Sequence, residues 1–350
     1  MNEAEAWAQN HNHLPMPEVL LRRRIRGMTG TGNGIRWSCL TGGVFYLDII
    51  RERTYPDGFV AGKRNRFEDR DVLRCVGGTC GNVSCMLPWL GVASFPIAHF
   101  DLSEEGRQIT ADLNRYGADT RFVRNTEHGG TTLLTCTHKR DRKTGEHVIT
   151  YRATSPGSMF PRRKAPRGRD EAPAFLEQLD FRPDVFFFDS PDSGYRVIAE
   201  GLRAKGTLVY FEPESDKDRK KFLDTVSKSD IVKFSGEKIA DRGFCDAYAD
   251  KLFVQTLGQE GLAFKLKDLP WLCVAPVPNE NVVDWEGAGD WLTSQLIASL
   301  AERNLHSVAG MTEENVRECL MEASRTASCS VSYMSSKGMI DAVMRRPAAS

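Results

Sequence analysis

The sequence predicts an α/β protein built on a doubly wound, mainly parallel sheet flanked by helices, with a small β subdomain beside it. From residue 184 onward, short apolar runs such as DVFFFDS and TLVYFEP alternate with amphipathic stretches such as GYRVIAEGLRAKG. This alternation is typical of a parallel sheet covered by helices. Between residues 37 and 154 the strand-like runs are instead joined by polar turns, which indicates hairpins.

The length and composition describe an ordinary globular chain. Lysine plus arginine and aspartate plus glutamate each total 47 in 350 residues, so the formal net charge is zero. Neutrality argues against a protein that binds nucleic acid through broad contact with phosphates, but it leaves room for one local anion site. No apolar run approaches the roughly 20 residues of a membrane span, and the N-terminus lacks the pattern of a signal peptide. We therefore expect a cytoplasmic protein with no membrane or nucleic-acid partner, whose nine cysteines are free thiols.

The first half of the chain divides into an N-terminal extension and the start of one long domain, residues 37–345. Residues 1–36 mix histidines, prolines and arginines, and we expect them to be poorly ordered or to form a packing arm. A helix is predicted with Ser103 as its N-cap and Gly117 at its end. The other predicted elements are a buried strand at 37–50, a small hairpin within 51–71, a strand, glycine turn and helix at 72–91, a strand at 94–100, and a hairpin at 131–152.

The second half follows a regular order of elements. Strands are predicted at residues 184–190, 207–213, 230–235 and 252–258. Helices are predicted between them at residues 194–206, 218–229 and 238–250. A β-ribbon at 261–268 and 271–277 follows, then helices at 289–304 and 312–333. This order predicts the parallel part of the sheet.

The most informative motif is VDWEGAGD, residues 283–290, in front of a long helix. Gly287, Ala288 and Gly289 would leave backbone N–H groups free at the helix N-terminus, where the helix dipole also attracts anions. Asp290, in the first turn, could accept a proton from a substrate hydroxyl while these N–H groups hold a phosphoryl group. The alternative is an ordinary glycine turn followed by an acidic first helical turn.

Three weaker features come earlier in the chain. GGTCGN, residues 77–82, places Asn82 after a glycine turn that a ligand can approach closely. TLGQEG, residues 256–261, follows a predicted strand, and ligands bind beyond the carboxyl ends of strands in open α/β sheets. Asp48 is an acid in the apolar run VFYLDII, so it should end the strand, pair with an arginine, or bind a hydroxyl-rich ligand. The alternatives are ordinary turns at the two glycine motifs and a partner arginine at Asp48.

Taken in order, these motifs resemble those of the ribokinase-like (PfkB) family of sugar and nucleoside kinases, over roughly residues 37–343. VDWEGAGD is similar to the family signature DTxGAGD, and GGTCGNVSCMLPWLG is similar to GGxxxNxAxxLxxLG. The resemblance implies a ribokinase-like fold with a β-sheet lid formed by about residues 51–71 and 131–152. It implies an ATP-dependent phosphotransferase that acts on a hydroxyl group of a sugar, sugar acid or related small molecule. ATP and Mg²⁺ are the implied cofactors, with a monovalent cation as a further candidate.

The resemblance also implies roles for individual residues. Asp290 would be the catalytic base, and the anion hole would be formed by Gly287, Ala288 and Gly289. The acceptor molecule would be bound by Asp48, Gly78, Asn82, Tyr151 and Arg152. The nucleotide would be bordered by Lys233, Ser235, Thr256, Gly258 and Gly261. Glu237 would act on magnesium through a water ligand.

Three stretches depart from the usual family pattern. FEPES, which contains Glu212 and Glu214, replaces DPN, and KFSGE replaces the NxxE stretch. Trp285 and Glu286 precede GAGD, where Glu286 would bring a negative charge near incoming phosphates unless magnesium or Lys233 offsets it. The three variants resemble a divergent branch of the family with FEPS, KxSxE and GAGDW motifs. A nucleoside kinase and a non-catalytic ligand-binding or regulatory member remain alternatives, and a homodimer through the lid is expected.

Overall fold

The computed structural model describes residues 37–127, 129–154, 166, 168 and 170–345, so the predicted N-terminal extension lies outside the described residues. The main sheet consists of β1 (Ser38–Gly42), β4 (Ala93–Phe100), β5 (Val123–Asn125), β8 (Val185–Phe188), β9 (Leu208–Phe211), β10 (Ile231–Ser235), β11 (Leu252–Thr256), β12 (Leu262–Leu266) and β13 (Leu272–Val274). Their order across the sheet is β13-β12-β11-β10-β9-β8-β1-β4-β5. Only the β11–β12 and β12–β13 pairs among these strands are antiparallel, which confirms both the mainly parallel sheet and the ribbon at its edge.

Helices and apolar side chains cover both faces of this sheet. The helices are α1 (Thr79–Met86), α2 (Glu104–Arg115), α3 (Glu171–Gln178), α4 (Ser193–Ala204), α5 (Arg219–Ser227), α6 (Ala288–Glu302), α7 (Glu313–Ser330) and α8 (Gly338–Arg345). In β8, Phe187 packs into the apolar cluster that contains α6, whereas Phe186 and Phe188 pack into the cluster that contains α4. Successive strand residues point to opposite faces, so a strand covered on both sides is apolar throughout.

The helix caps follow from local chemistry. The Ser103 hydroxyl accepts a hydrogen bond from the Gly106 N–H at 3.0 Å, so it caps α2 as predicted. Gly117, just beyond the end of α2, has a φ of +97°, in the left-handed region that glycine adopts without steric cost.

Among the described strands, a second, smaller sheet has no strand paired with the main one. It consists of β2 (Tyr46–Thr54), β3 (Glu68–Gly77), β6 (Leu133–Arg140) and β7 (His147–Thr154), in the order β3-β2-β6-β7. The β2–β3 and β6–β7 pairs are antiparallel, and β2 runs parallel to β6. The two predicted hairpins are therefore confirmed, and they join edge to edge through β2 and β6.

The prediction of one continuous strand over residues 37–50 is wrong. The chain turns after Gly42, so that β1 belongs to the main sheet and β2 to the smaller one. Asp189, which follows β8, holds this turn, because its carboxylate accepts hydrogen bonds from the backbone N–H groups of Val44 at 2.8 Å and Cys80 at 3.2 Å. A Cβ atom at Gly43 would lie 1.8 Å from Asp189 Oδ1, so the turn requires glycine.

The prediction of a helix over residues 238–250 is also wrong. The structure contains only a short 3₁₀ turn there, at Gly243–Ala247. The Asp241 carboxylate accepts a hydrogen bond from the Gly243 N–H at 2.8 Å. Such a local side-chain bond competes with the helical backbone pattern, which explains the shorter element.

Candidate active site

The N-terminus of α6 is an uncapped helix end. Gly287 is the N-cap residue with a φ of +77°, and no side chain caps the helix. A Cβ atom at this position would lie 2.3 Å from the Cβ of Ser336, so close packing as well as conformation requires glycine. Within the part of the chain that is described, the N–H groups of Gly289 and Asp290 have no hydrogen-bond acceptor. Free N–H groups at the positive end of a helix dipole form a site suited to an anion.

Asp290 lies buried in the first turn of α6, and a side chain from α1 holds it. The Asn82 Nδ2 amide donates a hydrogen bond to Asp290 Oδ2 at 2.6 Å. Burial raises the pKa of the Asp290 carboxyl to about 7, and the charge of Glu212 adds to this effect. The bond from Asn82 and the charges of Lys233 and Lys337 act in the opposite direction. A carboxyl group with a pKa near neutrality is well placed to exchange a proton with a substrate.

Asp48 lies in β2 beside the glycine turn that precedes α1. Its side chain is buried, and its Oδ1 atom has no hydrogen-bond partner among the described residues. The carboxylate packs so tightly against Gly77 that a Cβ atom there would lie 1.7 Å from Oδ2, and the next residue, Gly78, has a φ of +78°. Burial raises the pKa of Asp48 to about 6, the positive charge of Lys337 lowers it, and Glu286 raises it further. A buried carboxylate oxygen without a partner is costly unless a ligand supplies one.

A buried ion pair lies beneath the first turn of α6. Lys233, near the end of β10, donates to the carboxylate of Glu212 and, at 3.1 Å, to the backbone oxygen of Gly289. The second carboxylate oxygen of Glu212 accepts a hydrogen bond from the Thr293 hydroxyl at 2.6 Å. Lys233, predicted to border the nucleotide, is thus tied to the same helix turn as the candidate base. The variant sequence FEPES supplies the carboxylate that pairs with it.

The remaining residues predicted to border the nucleotide meet at the carboxyl ends of two neighbouring strands. Ser235 and Thr256 pair directly in the parallel register of β10 and β11. Gly258 and Gly261, with φ values of +59° and +92°, form the turn that follows β11. Glu237 is exposed, and its Oε1 atom lies 3.9 Å from the position of a Cβ atom at Gly258. The five residues therefore form one edge, continuous with Lys233.

Tyr151 and Arg152, the two acceptor-binding residues predicted on β7, lie in different surroundings. The Tyr151 hydroxyl of β7 donates to the carboxylate of Glu286, just before α6. The rings of His147, also on β7, and Trp285 lie 5.9 Å apart in an edge-to-face arrangement. Arg152 is exposed, and because strand side chains alternate it projects from the opposite face to Tyr151. Glu286, the acid predicted to lie near the incoming phosphates, is thus hydrogen-bonded to the second sheet.

Lys337, a fully buried lysine in the same cluster, was not predicted from the sequence motifs. Its Nζ atom donates to Asn82 Oδ1 at 2.6 Å and to the backbone oxygen of Val76, and the Ser336 hydroxyl donates to the same amide oxygen at 2.9 Å. Asn82, predicted to contact the acceptor, therefore carries three hydrogen bonds within the protein. The sequence signal was the lysine in YMSSKGMI, a charge among small and apolar residues, but nothing local indicated its partner.

Two further features concern metals and membranes. In residues 37–345, leaving aside the undescribed positions, no group of three or more His, Cys, Asp or Glu side chains is arranged to hold a metal ion. Over the same residues, no helix combines the length and the apolar character required to span a bilayer.

The fold and this site define a ribokinase-like protein, and solved structures support that class. The ribokinase of Arabidopsis thaliana, complexed with ribose and ATP, is 16% identical, with 89% of this chain and 99% of that chain covered and a TM-score of 0.58. The fructokinase of Xylella fastidiosa with bound ATP is 15% identical, with 89% and 98% covered and a TM-score of 0.62. At these identities the similarity establishes the fold.

Sequence comparison identifies the family. Residues 53–342 match the pfkB family of carbohydrate kinases, so this chain belongs to that family and is a carbohydrate kinase. It is also 23% identical over 304 residues to fructokinase-2 of Oryza sativa subsp. japonica, which covers 79% of this chain and 84% of the relative. The resemblance inferred from the order of the motifs is thereby confirmed.

Proposed function

We propose that this protein transfers the γ-phosphoryl group of ATP to a hydroxyl group of a sugar, sugar acid or related small molecule. One observation carries this proposal: the buried carboxyl of Asp290 lies one residue from free N–H groups at the uncapped end of α6. A base and an anion hole in one helical turn bring the attacking hydroxyl and the transferred group together.

Asp290 would act as the catalytic base. Its carboxylate accepts the proton of the acceptor hydroxyl as the oxygen attacks the γ-phosphorus, and the bond to the leaving oxygen of ADP breaks. The N–H groups of Gly287, Gly289 and Asp290 would stabilise the charge of the transferred group. The Ala288 N–H, predicted to share this role, instead donates to the Trp285 backbone oxygen at 3.3 Å. Burial supports this role, because it raises the pKa of Asp290 to about 7.

Asp48 would bind the acceptor. Its partnerless Oδ1 atom can accept a hydrogen bond from a hydroxyl group, which would relieve the cost of a buried carboxylate. Gly78 allows a ligand to approach the backbone closely, and Asn82, in the helix that follows, holds Asp290 by a hydrogen bond. Arabidopsis ribokinase, whose structure contains ribose, supports a sugar as the acceptor.

The nucleotide would lie along the edge formed by Lys233, Ser235, Thr256, Gly258 and Gly261. Gly258 and Gly261 in the turn after β11 carry no side chain that would hinder a flat base, and the edge leads to the end of α6 through the bond from Lys233 to Gly289. The residues present therefore fit ATP. The ATP-bound fructokinase of Xylella fastidiosa supports the same assignment.

Magnesium would reach the site with the nucleotide. Mg²⁺ is typically held by one or two carboxylates together with substrate phosphates, so it needs no cage of protein ligands. Glu237 fits this description, because its carboxylate is exposed beside the glycine turn and makes no ion pair within the described residues. When bound, the ion would neutralise charge on the phosphates.

The second sheet would act as the lid over the site, with residues 51–71 and 131–152 as its moving segments. The contact between Tyr151 and Glu286 supports this role, because it joins the sheet to the residue that precedes the anion hole. Closure would exclude water from the phosphoryl group. A homodimer through this sheet, a monovalent cation and a cytoplasmic location remain predictions.

A substrate panel tests the proposed function. Sugars, sugar acids and nucleosides are incubated with ATP and Mg²⁺, and ADP release is measured for the wild type and Asp290→Asn. We expect turnover with a sugar or sugar acid and a loss of kcat in D290N of about 10²- to 10⁴-fold. Asp268→Asn, in the exposed turn between β12 and β13, serves as the control and should retain activity. Full activity of D290N would exclude the mechanism, and ligand-induced thermal stabilisation without turnover would indicate a binding protein instead.

A further inference from the structure

Lys337 is an unusual residue because its ammonium group is completely buried. It precedes α8 and donates to the backbone oxygen of Val76 and to Asn82 Oδ1. Burying an ammonium group is costly unless neighbouring charges and acceptors compensate for the lost water. Burial favours the neutral amine, but nearby acidic groups, Asp48 and Asp290 among them, outweigh it and raise the pKa of Lys337. The residue is therefore held as a cation within the candidate active site.

The segment that carries Lys337 is fixed in place by its neighbours. The Ser335 N–H donates to Asp284 Oδ2 at 2.9 Å, and the indole N–H of Trp291 donates to the Ser336 backbone oxygen at 2.8 Å. Asp284 precedes α6 and Trp291 lies within it, so these bonds tie the segment to the same helix end that carries Asp290. The ammonium group consequently has a defined position relative to the candidate base.

The hydrogen-bond chain from Lys337 has a direction. An ammonium group is a donor only, so the amide oxygen of Asn82 must face Lys337 and its NH₂ group must face away. The NH₂ group then donates to Asp290 Oδ2, and this hydrogen bond is stronger when the carboxyl group is ionised. Without the lysine, the amide could rotate and present its oxygen to a protonated Asp290 just as well.

We propose that Lys337 is a positioning residue for phosphoryl transfer, which acts through Asn82 to orient Asp290 and to keep it ionised. This inference rests on the proposed function, because it assigns Asp290 the role of base.

The charged groups around Asp290 differ in whether an ion pair cancels their charge. Glu212 at the end of β9 opposes ionisation of Asp290, and Lys233 on β10 favours it, but these two groups form an ion pair with each other. Asp48 on β2 and Glu286 before α6 are further acids close to Lys337. Within the described part of the chain, no carboxylate oxygen lies within 4 Å of the Lys337 ammonium group, so no single ion pair cancels its charge.

The test compares the pH dependence of kcat in the wild type and in Lys337→Gln, which keeps an N–H donor but removes the charge. We expect the acidic limb of the profile to move upward by about one pH unit, because an opposite charge within a few ångströms lowers a carboxyl pKa by about that amount or more. At pH 7, close to the pKa of Asp290 in the wild type, this shift should lower kcat roughly fivefold, with KM for ATP changed less than twofold. Lys251→Gln is the matched control, because Lys251 is also buried and donates to a backbone oxygen, that of Ser229, at 2.6 Å.

A second variant and a second readout complete the test. Asn82→Leu removes the link between the two charges, and we expect the same upward shift of the limb. The carboxyl signal of Asp290 in ¹³C-aspartate-labelled protein, assigned by its loss in D290N, should titrate at higher pH in K337Q whether or not a substrate has been found. This readout separates a failure of the inference from a failure of the proposed function. A folded K337Q or N82L protein with the wild-type limb and titration would overturn the inference, as would an equal shift in K251Q.

Discussion

The two sheets of this protein differ in how deeply their strands are buried. All four residues of β8 in the nine-stranded sheet are buried, because helices or apolar clusters cover both of its faces. In the four-stranded sheet, β3 is exposed or half-buried until its last three residues, and β7 has no fully buried residue. The smaller sheet is covered chiefly where it meets the candidate active site, around Asp48 and Gly77. The strands of the first sheet therefore bury more apolar surface, whereas the buried part of the second sheet lies beside the site.

The pKa values of acidic residues also shift in opposite directions in the two regions. On the second sheet, Arg53 donates two hydrogen bonds to the Asp69 carboxylate, at 2.7 and 2.8 Å, and this pairing lowers the pKa of Asp69. In the body of the protein, burial raises the pKa of Asp189 and Asp290, each to about 7. The paired acids favour folding when they are ionised, whereas the buried ones oppose it.

Phe187→Ala should have the largest effect on stability. Phe187 is fully buried in β8, with its ring edge-to-face against Tyr210 at 5.4 Å. Removing its ring leaves a cavity in a core that cannot fully collapse, so we expect a loss of about 3–5 kcal/mol in the free energy of unfolding. Denaturant unfolding measures it. Thr150→Ala, exposed on β7, is the control and should change the value by less than about 0.5 kcal/mol. Equal losses in the two variants would contradict the division between the sheets.

Asp290→Asn tests the raised pKa of a buried acid through the pH dependence of the free energy of unfolding. Because the folded-state pKa of Asp290 is raised to about 7, its stabilising contribution is complete below the unfolded value of about 3.9 and is lost as the pH rises through 7. D290N has no ionisable group at this position, so its stability does not fall in this way as the pH rises. We therefore expect D290N to be more stable than the wild type at pH 8, on the order of 2 kcal/mol, with the difference shrinking toward pH 5. Thermal and denaturant unfolding across this range measure it.

Asp69→Asn provides the comparison for this prediction. The pKa of Asp69 is lowered by its bond to Arg53, so its contribution is present above the unfolded pKa and is lost as the pH falls. D69N should therefore be slightly less stable than the wild type at pH 7, and the difference should vanish in acid. If D290N and D69N shifted stability in the same direction at pH 8, the contrast between buried and paired acids would be incorrect.

Features set by neighbouring residues could be predicted from the sequence. The strands of the main sheet, the two hairpins and the glycine at the end of α2 depend on apolar runs and turn residues close together in the chain. Features set by distant partners could not. Asp189 divides the predicted first strand from a position 145 residues away, and Lys337 reaches Asn82 across 255 residues. No local pattern of a single sequence records which side chains such a long separation brings together.

Tyr151→Phe should have the smallest effect and tests the link between the two regions. The variant removes the hydroxyl that donates to Glu286 and leaves the ring in place. Since Tyr151 is about half exposed, at 52%, the bond should contribute only about 1 kcal/mol. We expect a fall in kcat/KM of about fivefold, because Glu286 is then free to repel incoming phosphates, with little change in the free energy of unfolding.

Tyr248→Phe is the matched control for Tyr151→Phe, because the Tyr248 hydroxyl donates to the Leu223 backbone oxygen at 3.3 Å in the body of the protein, away from the site. We expect Y248F to retain the kinetics of the wild type and to lose a little stability. Steady-state kinetics with varied ATP and varied acceptor, together with denaturant unfolding, measure both variants. If Y151F kept wild-type kinetics while losing stability as Y248F does, the bond from Tyr151 to Glu286 would be only structural. The second sheet would then have no part in placing charge at the anion hole.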